Sequence, residues 1–362
     1  MRRPEWMRGM FKAASNELFG DIELEQLAFV GRGLNRPECV VTHRSGLLFA
    51  ADWTETGGIA IIAPDGQVTR ILARDRTVPL RPNGIALEPG GSFLIAHLGQ
   101  DDGGLFRLHP DGRTETVASH TDGLPIPPSN FPLRDSRGRI WLTVSTRVAP
   151  RSNDYRPTAS SGFIVLIENG SARIVADDLG YANECALSAD EQHLFVNETF
   201  ARRLTRFDVA PDGGLTNRTT VASFGQGTFP DGVVMDAEGC AWVTSIVSNR
   251  VIRVRPDGTQ TIVLEDLQPE HIAWVEDAFQ AGSMGRPHID AVPSRCLRNV
   301  SSLAFGGPAL TTAYLGCLLG DRIPYFHTAV AGAQPTHFDF DIGPLLALAA
   351  GSRSHEQSTR TS

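Results

Sequence analysis

Short apolar runs alternate with polar turns from about Ile22 to about Phe340. The clearest pair of copies is Ala182–Leu204 (ANECALSADEQHLFVNETFARRL) and Pro230–Ile252 (PDGVVMDAEGCAWVTSIVSNRVI). Each reads as a polar residue, an apolar strand, an acidic turn, a second apolar strand, a polar loop, then Arg and a third strand. Asn183 and Arg203 are 20 positions apart and Asp231 and Arg250 are 19 apart, one turn residue making the difference. Six such units begin near Glu38, Asn83, Asn130, Asn183, Asp231 and Ser301, with gaps of 45, 47, 53, 48 and 70 residues. A period near 45 residues with several strands per unit predicts an all-β, six-bladed β-propeller over residues 22–340. PDG turns at Pro64–Gly66, Pro110–Gly112, Pro211–Gly213 and Pro256–Gly258 fall late in their units and suit tight hairpins between outer strands.

Two gaps exceed the period. The third unit carries a polar insertion at Arg147–Ser161, which reads as a loop. The fifth carries a longer one from Gln268 to Arg298, in which PEHIAWVEDAFQAG, with Ile272, Trp274, Val275 and Phe279 at helical spacing, predicts a helix between blades five and six. A surface helix on the blade edges and a lid over the site are both open for it. The segment Ile22–Val30 alternates as a strand and is expected to close the ring as the outer strand of the sixth blade, removing free sheet edges. Residues 1–21 read as an N-terminal extension and 341–362, ending in GSRSHEQSTRTS, as a disordered tail.

Composition narrows the function. A formal charge of −8 argues against a nucleic-acid partner. No apolar run approaches the roughly 20 residues of a membrane span, and the N-terminus has no continuous apolar signal segment. Five cysteines, odd in number and without CxxC spacing, suit reduced thiols in the cytoplasm rather than disulfides or thiolate-bound zinc. Neither a Gly-x-Ser-x-Gly elbow nor a phosphate loop is present.

In a propeller, residues opening the innermost strands face one mouth of the central channel. Here Glu38, Asn83, Asn130, Asn183, Asp231 and Ser301 all bear oxygen. Buried carboxylates beside one another need a cation between them, and Ca²⁺ accepts six to eight oxygen ligands; Glu38, Asn183 and Asp231 are the candidate ligands. Polar caps holding channel water are the alternative. His97 is a candidate proton shuttle or a structural histidine, Trp53 an apolar wall or core residue, and Asn197 and Glu198 pocket rim or turn caps. His271 and His288, in the insertion, suit surface roles.

The runs PECVV, ANECALSADEQHLFVNETFARRL, FPDGVVMDAEGCAWVTSIVSNRVIRV and SSLAFGGPALTTAYLG resemble the senescence-marker-protein/gluconolactonase family, which includes regucalcin, over nearly all of Arg36–Phe326. The resemblance implies a six-bladed propeller holding one divalent cation: Ca²⁺ first, with Zn²⁺, Mn²⁺ and Mg²⁺ also compatible. It implies Glu38, Asn183 and Asp231 as metal ligands, Asp231 also as general base, and Asn130 on the substrate side; Asn83 from the ring, His97 from the channel mouth and Phe131 beside Asn130 are the further substrate-side candidates. The implied activity is hydrolysis of a small-molecule lactone or related ester, the metal polarising the carbonyl and activating water. Sugar lactonases resembling regucalcin carry Arg two residues before the third-blade Asn and Asp after it. This chain has Pro128 and Phe131 there, which points to a substrate less polar than a sugar lactone. A calcium-binding regulator without turnover and a metal-assisted isomerase or lyase are the alternatives.

Overall fold

A computed structural model describes residues 22–100 and 102–359 of the 362-residue chain. Among them, six four-stranded antiparallel sheets form the blades of an all-β propeller. The first runs Val40–Thr42, Leu48–Asp52, Gly58–Ile62, Val68–Leu72, and the next four follow the same order from strands beginning at Pro82, Ser129, Ala182 and Phe229. The sixth combines Val300–Gly306, Thr312–Cys317 and Ile323–His327 with Ala28–Val30, Val30 lying opposite Ile323. Second and third strands lie between neighbouring blades and are covered on both faces, so they read as continuous apolar runs: all of Leu48–Asp52, Gly58–Ile62, Ile140–Val144 and Ala241–Ile246 are buried. The strand in Ile22–Val30 is shorter than its pattern suggested. Leu24–Gln26 forms a 3-10 turn instead, because the Gln26 side chain accepts the Glu23 N–H at 2.8 Å and draws the chain out of extension.

The four PDG turns each join third and fourth strands. Gly66, Gly112, Gly213 and Gly258 all have φ between 79° and 87°, and the Gly66 N–H closes its turn on the Ala63 carbonyl at 2.8 Å. A second device repeats in blades three and five. In DSRGRIW, Asp135 accepts from Arg137 N, Arg139 N, Arg139 Nε and Trp141 Nε1; in DAEGCAW, Asp236 accepts from Glu238 N, Cys240 N, Trp242 Nε1 and Arg253 Nε. Each carboxylate ties its turn to the interior of its blade.

Helix Pro269–Gln280 occupies the long insertion. Ile272, Val275 and Phe279 pack into an aromatic cluster with Tyr155, Tyr181, Phe200 and Phe229, while Trp274 is 47% exposed and stacks on His288. The shorter insertion is tied down as well: buried Asp154 accepts from Thr146 Oγ1, Arg156 Nε and Ser161 Oγ, and Tyr155 and Ala159 join the same cluster. Both insertions therefore cover the end of the channel where Tyr181 and Phe229 lead into Asn183 and Asp231.

The tail is not wholly irregular. Gly343–Thr359 is helical, and Leu345 packs with Ile342 against the core between blades one and two. Its polar end outweighed the apolar stretch Pro344–Ala350 in the sequence reading. The N-terminal extension, 1–21, lies outside the described residues.

Candidate functional site

The ring residues sit where the innermost strands break register. Ladder irregularities fall between Pro82 and Ile85, Ser129 and Phe131, Ala182 and Cys185, Pro230 and Val233, and Val300 and Ser302. Asn83, Asn130, Asn183, Asp231 and Ser301 are the residues spanned. A bulge re-aims a side chain that strict alternation would send elsewhere. Glu38 precedes its strand and follows Arg36, whose φ is 55°. Close backbone approach makes this possible: a β-carbon on Gly232 would lie 2.6 Å from the Ser301 carbonyl, and one on Gly316 would lie 2.1 Å from that of Glu38.

Three asparagines share one arrangement. Asn83 Nδ2 donates to the Asn130 carbonyl at 3.2 Å, Asn130 Nδ2 to Ser145 Oγ at 3.0 Å, and Asn183 Nδ2 to Thr199 Oγ1 at 3.0 Å. In each case Oδ1 is buried without a hydrogen-bond partner. Thr199 Oγ1 passes its own proton to the Pro230 carbonyl at 2.8 Å, linking the Asn183 amide to the backbone beside Asp231. From the other side, Asn197 Nδ2 donates to the carbonyls of Asp231 and Gly232.

Asp231 is buried, and burial first, then the Glu38 charge, push its carboxyl well above the usual range; Arg36, Arg151 and an Asn183 hydrogen bond oppose the shift. Glu38, Asn183 and Asp231 are thus brought into electrostatic reach of one another. Arg36 stands 2.7 Å from Glu38 Oε2 as an ion pair, outside hydrogen-bonding geometry. The Ser301 hydroxyl donates its proton to the Glu38 carbonyl at 2.7 Å, which ties it to the backbone of the first blade.

The donor set fits a hard divalent cation. Glu38 Oε2 and three amide oxygens are buried without a hydrogen bond and lie around a second carboxylate, Asp231, and all are oxygen ligands of the kind Ca²⁺ takes. Among the described residues, no three His, Cys, Asp or Glu side chains gather as a metal site, the ring included; its fit to a cation rests on two carboxylates and the amide oxygens beside them.

Above this ring lies a cavity of about 460 Å³ lined by Arg36, Trp53, Arg81, His97, Arg151 and Arg286, with Asp102 among its rim residues. Trp53 donates Nε1–H to the Pro82 carbonyl at 2.7 Å and carries the Arg36 and Arg81 guanidinium groups 4.6 and 5.4 Å from its ring centre. His97 Nδ1 accepts the Arg81 N–H at 3.0 Å, which leaves the proton of the neutral ring on Nε2, 3.3 Å from Asp102. Burial holds its pKa below the ordinary value despite Asp102. Arg286 reaches the cavity from the long insertion, and Arg151 from the short one.

Phe131 lies elsewhere. Its side chain lines an apolar cavity of about 200 Å³ at the opposite end of the channel, with Cys39, Glu184, Met235, Phe305 and His337. The bulge spends the upward direction on Asn130 and leaves the next side chain to pack against the neighbouring blade, over Gly84. Pro128 borders a smaller cavity with Gln100, Arg147 and Arg151. Glu184, unremarked in the sequence, has its carboxyl held well above the usual range by burial and by the Asp231 and Glu38 charges. Glu198 belongs to a structural cluster with Arg203, Arg218, Thr205 and the Gly180 N–H. His271 and His288 stay within the insertion, the first hydrogen-bonded to the second's carbonyl.

Six four-stranded blades around this oxygen-lined mouth define a six-bladed β-propeller. Residues 129–274, less than half of the chain, match the SMP-30/Gluconolactonase/LRE-like region, a stretch that includes Asn130, Asn183 and Asp231 but not Glu38 or Asn83. It is 27% identical over 212 residues to 6-deoxy-6-sulfogluconolactonase of Pseudomonas putida, covering 56% of this chain and 68% of that one. It is 28% identical over 165 residues to lactonase Drp35 of Staphylococcus saprophyticus, covering 45% and 46%. The chain thus spans about two thirds of the first relative and under half of the second. The solved structure of a calcium-binding regucalcin from Agrobacterium tumefaciens superposes with a TM-score of 0.62 at 19% identity, covering 87% of this chain and 98% of that one.

Proposed function

We propose that this chain is a divalent-metal-dependent lactonase whose site is the channel mouth formed by Glu38, Asn183, Asp231, Asn130 and Asn83. The carrying observation is the set of buried oxygens without a hydrogen bond on Glu38, Asn83, Asn130 and Asn183 around the Asp231 carboxyl. Lactonase names among the relatives support the reaction class, and the calcium-binding regucalcin fold supports Ca²⁺ as the first metal to try, with Zn²⁺, Mn²⁺ and Mg²⁺ behind it.

Glu38, Asn183 and Asp231 would hold the cation, which when bound supplies Lewis acidity toward a carbonyl oxygen and acidifies water. Asp231 takes the proton from the attacking water and returns it to the departing alkoxide oxygen. The free Oδ1 atoms of Asn83 and Asn130, each amide held by one Nδ2–H hydrogen bond, accept hydrogen bonds from substrate hydroxyls or water. His97 presents Nε2–H at the cavity wall and can pass a proton outward toward Asp102. Five free cysteines, four of them buried, accord with a cytoplasmic setting. Among the described residues no helix is long and apolar enough to cross a membrane.

A less polar substrate was expected from Pro128 and Phe131. With Phe131 lining the far cavity and four arginines over the ring, that expectation loses its structural support. A hydrolysis screen of sugar, alkyl and aromatic lactones with each cation, run beside Asp231→Asn, tests the reading. Chelator-sensitive turnover lost in the variant supports it; no turnover by the metal-loaded protein across the screen leaves calcium binding without catalysis, or an isomerase or lyase step, as the second reading.

A further inference from the structure

Four arginines enter the upper cavity from four separate segments: Arg36 ahead of the first inner strand, Arg81 ahead of the second, Arg151 in the short insertion and Arg286 in the long one. Two have partners that account for them. Arg36 pairs with Glu38, and Arg286 pairs with Asp290 and hydrogen-bonds Tyr155. The other two do not. Arg81 reaches only the Glu55 and Leu80 carbonyls, at 3.4 and 3.3 Å, with its guanidinium over Trp53 and no carboxylate paired with it among the described residues. Arg151 makes no hydrogen bond or ion pair with a described residue, although the Glu38 and Asp231 charges reach it. Asp102, the one carboxylate among the described lining residues, is committed to the rim beside His97. Once Glu38 and Asp231 are occupied with a cation, the cavity retains positive charge that no described carboxylate balances. A guanidinium offers a planar fork matched to an anionic oxygen group, and a cavity lined this way favours an anion over a neutral ligand.

We propose that the lactone substrate carries an anionic group, a carboxylate or sulfonate, away from its ring carbonyl, and that Arg81 and Arg151 receive it in this cavity. The anion then sits on the solvent side of the ring residues and the lactone carbonyl on the channel side, so the arginines set both affinity and orientation. This inference rests on the lactonase reading for the reaction and on the cavity alone for the charge.

Three lactones matched in ring and hydroxyls and differing only at the terminal carbon test it: hydroxymethyl, carboxylate and methylsulfonate. Wild-type enzyme should show kcat/KM roughly 10–100-fold higher for either anionic member, as expected of charge-assisted hydrogen bonds. Arg81→Gln and Arg151→Gln should each shrink that ratio several-fold, with Arg151→Lys falling between. A ratio near one in the wild type, or a ratio unchanged in the Arg81→Gln/Arg151→Gln double variant, overturns the proposal. Inorganic sulfate should compete with the anionic lactones; activation of the neutral lactone by sulfate would mean a free anion belongs there instead and also overturns it. If no lactone is hydrolysed with any cation, the reaction assignment fails, and calorimetric titration still decides the charge. A hexose bearing a 6-sulfonate should then bind the metal-loaded protein at least tenfold more tightly than the parent hexose, with the difference lost in the double variant; equal binding overturns the proposal.

Discussion

Thr199 offers a sharp test of how the ring is held. Its hydroxyl accepts from Asn183 Nδ2 at 3.0 Å and donates to the Pro230 carbonyl at 2.8 Å, deep in the interior. One oxygen therefore aims the Asn183 amide and fixes the backbone beside Asp231. Thr199→Val keeps the branched shape and removes the oxygen, leaving a buried amide donor and a buried carbonyl without partners. Each such group costs about 1–3 kcal/mol, so the expected loss of stability is about 2–4 kcal/mol once partial relaxation is allowed. Asn183 also loses what keeps its Oδ1 turned into the channel, and removing a partner of this kind typically weakens metal affinity by roughly 10–100-fold. Calorimetric titration with Ca²⁺ measures the affinity, and urea denaturation with and without chelator measures the stability. Thr199→Ser, which retains the hydroxyl, should recover most of both. A Thr199→Val protein binding Ca²⁺ within twofold of wild type would refute the claim that this hydroxyl orients a ligand.

Other outcomes follow from the same geometry. Asp231→Asn should keep the fold and lose roughly 10²–10⁴-fold in turnover, checked by steady-state kinetics beside circular dichroism. Asp236→Ala strips four donors, including Trp242 Nε1 and Arg253 Nε, of a buried acceptor; the cost should be about 3–5 kcal/mol, read from the urea midpoint. Leu345→Ala should cost about 2–5 kcal/mol if the C-terminal helix docks as described, seen as a lowered Tm. Burial, with the His43 charge, pushes His337 from 6.5 to about 4. The unfolded chain then takes up this proton near 6.5 while the native state resists until about 4, so stability present above 6.5 should fall as pH drops through that window. His337→Asn should flatten the slope in urea midpoints measured from pH 7 to pH 4.

How far the site was legible in the sequence depends on what fixes each residue. The ring residues were legible because a propeller repeats one environment six times: a polar residue opening an apolar strand at a period near 45 residues stands out against its neighbours. Their bulges were not, since a register shift is a property of two strands and the ladder is not written in either one. Phe131, which the family resemblance placed on the substrate side beside Asn130, lines the far cavity instead. Ser301 shows the converse: its position in the repeat is right, yet its hydroxyl is turned to donate to the Glu38 carbonyl across the blade boundary. The arginines were the least legible. Arg36, Arg81, Arg151 and Arg286 lie outside the regular strands, two of them in insertions that the period only flags as extra length, and no spacing relates one to another. They meet because ring closure brings the starts of blades one and two beside the insertions of blades three and five. The repeat therefore places the candidate metal ligands, while two of the four cavity arginines come from the segments that depart from it. The two longest departures from the period each deliver a guanidinium to the same cavity, so in a propeller read from sequence alone the insertions are where a search for substrate-determining residues should begin.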